Sequence, residues 1–113
     1  MNVQIFGKSK CFDTKKAERY FKERRIKYQF VDMKEKGLSK GEFNSVCQAV
    51  GGYEKLIDPK CKDKNLLALV QYLSEEDKKE KILENQKIIR TPIVRNGKQA
   101  TVGYEPDVWK DWK

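Results

Sequence analysis

The residue with the clearest chemical potential is Cys11, in the spacing Cys11-Phe12-Asp13-Thr14. Val3, Ile5 and Phe6, closed by Gly7, have the pattern of a short strand. Beyond Cys11, Ala17, Tyr20, Phe21 and Arg24 recur at helical spacing over Phe12 to Arg25. Cys11 therefore falls where a strand, after the loop Lys8-Ser9-Lys10, hands over to a helix. Free backbone N–H groups at a helix N-terminus favour an anion and lower the pKa of a thiol. The Thr14 hydroxyl is spaced to donate to the thiolate, and Lys8, Lys10 and Lys15 can add positive charge. The chain has no histidine, which removes a Cys–His pair and any histidine metal ligand. If Cys11 is a nucleophile, the helix end and cationic side chains must activate it. If it is not, it is an ordinary loop cysteine.

A second feature is Arg90-Thr91-Pro92, a proline opening an extended run, which reads either as a cis-proline site or as a plain strand boundary. Cys47 shares a helix face with Phe43, Val46 and Val50 and reads as a buried structural thiol. Cys61, in Lys60-Cys61-Lys62, reads as an incidental loop thiol or as a resolving partner for Cys11. The three cysteines are too widely spaced for a zinc site, and no metal is expected.

The elements that must position these groups are legible along the chain. Tyr28 to Met33 alternates like a strand. Ser39-x-x-Glu42 is a capping box that opens a helix stopped by Gly51-Gly52. Tyr53 to Asp63 reads as loop or turns. Leu66, Leu67, Leu69, Val70 and Leu73 mark a buried helix, and Ser74 caps a charged surface helix with Ile82 and Leu83 as its apolar pair. Asn96-Gly97 between two extended runs predicts a tight hairpin. A short helix from Pro106 is expected to bury Val108 and Trp109. The order predicts an α/β domain with a mixed sheet, a βαβ start, a ββα end and a helical insertion over about 39–87. That is the plan of a thioredoxin-like fold, in a single domain spanning 1–113.

The 25 lysines and arginines against 17 acids give a net charge of +8. No Lys/Arg block alternates with aromatics, so the charge reads as a solvated surface suited to a small anionic substrate rather than as a nucleic-acid groove. No apolar run is long enough for a membrane span, and the N-terminus lacks a signal-peptide layout. With its odd, sparse cysteine set, the chain is expected in the cytoplasm.

Taken together, the segments resemble the ArsC/Spx/YffB-like family, the arsenate reductase-related branch of the thioredoxin superfamily. The resemblance is carried by Cys11-Phe12-Asp13-Thr14-Lys15-Lys16-Ala17, the Tyr28-to-Asp32 strand, Leu56-Ile57-Asp58-Pro59-Lys60, Ile88-Ile89-Arg90-Thr91-Pro92-Ile93-Val94 and Val102-Gly103-Tyr104. It implies an oxidoreductase with Cys11 as nucleophile on an oxyanion or on a disulfide, and glutathione, with glutaredoxin, as reductant. Thr14, Lys15, Lys60 and Arg90 would stabilise the anion, and Thr91-Pro92 would be the family's cis-proline site. No bound cofactor is implied. Arsenate-reducing relatives place arginines where this chain has Lys60, Thr91 and Tyr104, which counts against arsenate as substrate. The Spx branch implies the alternative, a transcription regulator docking on RNA polymerase. Thr14 replaces the second cysteine of that branch's Cys-x-x-Cys switch.

Overall fold

A computed structural model describes residues 1–112. Its four-stranded sheet has the order β2-β1-β3-β4, with β1 at Val3–Gly7, β2 at Tyr28–Asp32, β3 at Ile93–Asn96 and β4 at Gln99–Val102. β1 runs parallel to β2, in register from Val3–Tyr28 to Gly7–Asp32, and antiparallel to β3; the Asn-Gly hairpin joins β3 to β4. Strand β1, one of the two inner strands, is buried on both faces. Val3 and Ile5 point to one side and Phe6 to the other, as the two-residue period requires.

Each face meets a different layer. Helix α1 (Phe12–Glu23) and the one-turn α5 (Pro106–Trp109) cover Val3, Ile5 and Val94 with Ala17, Tyr20, Phe21 and Trp109. The other face carries the insertion: α2 (Lys40–Val50), a 3-10 turn at Tyr53–Leu56, α3 (Lys64–Tyr72), α4 (Glu75–Glu84) and a 3-10 turn at Gln86–Ile88. Phe43, Val46, Leu56, Leu66, Val70, Ile82 and Ile88 pack there around Phe6 and Ile93. The expected capping box forms, with the Glu42 N–H donating to Ser39 Oγ and the Ser39 N–H to Glu42 Oε1. The Gln86 amide both accepts from Leu38 N–H and donates to Leu38 O, tying the start of α2 to the end of the insertion.

The thioredoxin-like plan read from the sequence is the plan observed, with local corrections. Helix α1 ends at Glu23, and Arg25 takes a left-handed φ of 58°. Only Leu66 and Val70 of the α3 apolar set are buried, one helical turn apart; Leu69 lies on the flank and is exposed. Val108 is 43% exposed while Trp109 is buried. In a single turn, neighbours diverge by about 100°, and Trp109 takes the inward place, its Nε1–H donating to Thr101 Oγ1 at 2.7 Å.

Candidate functional site

Cys11 is the N-cap of α1, with extended backbone (φ −90°, ψ 119°). The Lys8–Cys11 turn that presents it is closed by the Cys11 N–H donating to Lys8 O at 3.0 Å. Beneath it, Thr14 is almost completely buried against Gly7. A Cβ on Gly7 would collide with the Thr14 side chain, so the glycine at the end of β1 is what lets the first turn of α1 sit close to the strand. The Lys8 N–H donates to Thr14 Oγ1 at 3.4 Å, which leaves the hydroxyl hydrogen for the sulfur.

The thiol itself is half-buried, and Sγ–H donates to the Thr91 carbonyl at 3.5 Å. Thr91–Pro92 is a cis peptide bond. Partial burial pushes the Cys11 thiol up. It is outweighed by hydrogen bonds from the Thr14 and Thr91 side chains and the backbone of Thr14 and Asp13, and the net pKa is lowered. The sequence led us to expect lysines to share in this activation, but none is among the groups that shift it.

A second strap builds the opposite wall. Ile57 bridges Ile89, the Asp58 N–H donates to Ile88 O at 2.8 Å, and the Arg90 N–H donates to Leu56 O at 2.7 Å. Asp58 Oδ1 accepts from the Lys60 N–H, turning the chain at Pro59. These bonds place Lys60, Lys55 and Arg90 around an open cleft of about 610 Å³ that also contains Cys11 and Thr91. Asp13, Glu54 and Asp58 line the same cleft.

The structure thus gathers Cys11, Thr91, Lys60 and Arg90 in one cleft, with Pro92 buried behind Thr91 and Thr14 beneath the sulfur. Lys15 is not in its wall; its ammonium lies 5.9 Å above the Phe12 ring. Cys61 is not in the wall either, its Sγ facing the Lys87 carbonyl at 3.9 Å. Cys47 is buried in α2, as its apolar neighbours implied. The sequence does not mark Lys55, Glu54 or Asp58 as site residues, because only the Ile57–Ile89 bridge brings their turn beside Cys11, whereas Asp13 comes from the first turn of α1 itself. No group of three or more His, Cys, Asp or Glu suited to a metal occurs among the described residues, and none of their helices is long and apolar enough to cross a membrane.

The model of the ArsC family matches residues 6–112 of this sequence. The chain belongs to the ArsC family. Among curated proteins it is similar to global transcriptional regulator Spx 2 of Oceanobacillus iheyensis, 27% identical over all of this chain and 94% of that protein. Among solved structures it is similar to an ArsC-family-related protein from Bacteroides fragilis, with a TM-score of 0.86 and 20% identity over 100% of this chain and 98% of that one. It is also similar to an arsenate reductase from Vibrio cholerae, with a TM-score of 0.82 and 24% identity over 96% and 94% of the two chains. The family match thus agrees with the resemblance read from the motifs, while the named relatives divide between a regulator and a reductase.

Proposed function

We propose that this ArsC-family protein is a thiol oxidoreductase in which Cys11 attacks the disulfide of a small, peptide-like thiol of the glutathione type. The observation that carries this reading is the setting of Cys11: a half-buried sulfur at a helix N-cap, 3.5 Å from the Thr91 carbonyl and with its pKa lowered by hydrogen bonds. The Cys11 thiolate would attack one sulfur of R–S–S–R′, forming Cys11–S–S–R and releasing R′–S⁻, which takes a proton from water. A second thiol, glutathione or the cysteine of a glutaredoxin, would then attack the mixed disulfide and return Cys11 to its thiolate.

Charge balance supports the disulfide rather than the oxyanion. Lys55, Lys60 and Arg90 face Asp13, Glu54 and Asp58 across one cleft, so a multiply charged anion such as arsenate meets little net positive field. A zwitterionic peptide thiol can match both signs. Cys11, Cys47 and Cys61 are all free thiols, in keeping with a reducing cytoplasm. The test is glutathione disulfide and intact-protein mass spectrometry. A single adduct, on Cys11, is expected; a chain that forms none contradicts the reading.

Similarity to Spx 2 across the whole chain favours a second reading, docking on RNA polymerase. Capture of polymerase under reducing conditions, unchanged by Cys11→Ser, would separate docking from thiol chemistry. Failure to capture it would end that reading.

A further inference from the structure

The Cys11 cleft does not stop at Arg90. Lys55 and Arg90 also line a second cleft of about 500 Å³, whose apolar walls are Val50 at the end of α2, Ala100 and Val102 of β4, and Val108 of α5. The two clefts meet at these two cations, which belong to the walls of both. Glu105 also lines the second cleft.

Each cation lies over a glycine. Gly51, with φ at 90°, lies under the Lys55 ammonium: a Cβ there would sit 3.2 Å from Nζ. Gly103, with φ at 82°, lies under Arg90, whose Nη2 would be 3.5 Å from such a Cβ. Neither cationic side chain has a hydrogen bond or ion pair among the described residues. Both are exposed and stand between the thiol on one side and a valine-lined trough on the other. The trough is lined by residues of β4, an edge strand of the sheet, and Val108 is among the exposed large apolar side chains of the fold.

We propose that this trough is a second subsite for the same substrate, selecting a disulfide-bonded peptide with an acidic residue next to its cysteine and an apolar side chain beyond it. The inference rests on the thiol reading above and extends it. An apolar trough beyond a cation pair fits a peptide chain whose carboxylate sits at Lys55 and Arg90 and whose next apolar group covers the valines.

The test uses peptides disulfide-linked to thionitrobenzoate. Cys11 thiolate attacks the peptide sulfur, the Cys11–peptide disulfide forms, and thionitrobenzoate leaves as a coloured thiolate, so one sulfur is oxidised as the other is reduced. The parent is Cys-Asp-Ser-Ser, and leucine replaces either serine. At one position leucine should raise the second-order rate about tenfold, the effect of burying part of a leucine side chain. In Val108→Asp, an exposed site where the fold tolerates change, that gain should fall to within about twofold of the parent. Lys55→Gln should reduce the preference for the aspartate peptide over its asparagine analogue, Arg90 remaining. Glutathionyl-thionitrobenzoate is the control. If it reacts while leucine brings no gain, the site takes small thiols only and the subsite is overturned. A gain that survives Val108→Asp overturns it as well. If the control itself is inert, the thiol reading has failed.

Discussion

Cys11 and Cys47 sit on consecutive helices and face opposite circumstances. Cys11 caps the N-terminus of α1, where hydrogen bonds to its sulfur outweigh partial burial and lower the pKa. Cys47 lies in the last turn of α2 among Phe43, Val46 and Phe6, where burial raises the pKa and only the charge of Lys79 pulls it back. The same side chain is thus shifted towards the thiolate at one place and towards the thiol at the other by what surrounds it. A buried helix interior offers a thiol no free donors, because backbone N–H groups there are spent on carbonyls; a helix start leaves them available.

The largest effect expected from this contrast is loss of reaction. Cys11→Ser should abolish the glutathione adduct, whereas Cys47→Ser should leave the exchange rate unchanged, and mass spectrometry of the adducts distinguishes them. Thr14→Val keeps the buried shape and removes the hydroxyl. A hydrogen bond to a charged group is worth about 1.5–3 kcal/mol, so iodoacetamide alkylation of Cys11 near neutral pH should slow about tenfold or more. Gly7→Ala drives a methyl into Thr14; overpacking of this kind costs about 1–3 kcal/mol, read as a fall in the denaturant midpoint, and it should slow alkylation as well.

A smaller effect follows from linkage. The native state lowers the Cys11 pKa, so the native thiolate contributes stability that is present above the unfolded-state pKa and lost as pH falls through the folded-state value. The stability of the wild type relative to Cys11→Ser should therefore grow as pH rises through the lowered folded-state pKa towards the free-thiol value of about 8.5, measured by urea titration. No growth would mean that the folded environment does not favour the thiolate.

Much of this arrangement was legible in the residues themselves, because it rests on local rules. A strand ending in glycine, a cysteine before a helical repeat, Ser39-x-x-Glu42 and Asn96-Gly97 each specify geometry within a few residues, and the fold carries all of them. The cleft's second wall was not legible. Lys55, Glu54 and Asp58 reach Cys11 through a single bridge, Ile57 to Ile89, between segments far apart in sequence and without strand patterning of their own. Lys15 lies over the Phe12 ring rather than in the cleft wall, because spacing from Cys11 alone does not show on which side of the helix the cleft opens.

The central claim is that Cys11 is a thiol activated by hydrogen bonds at a helix start. Its most direct test is the pH dependence of Cys11 alkylation in a Cys47→Ser/Cys61→Ser variant. The account predicts a midpoint clearly below the free-thiol value of about 8.5, shifted upward by Thr14→Val. A midpoint at or above the free-thiol value, unmoved by Thr14→Val, would contradict it.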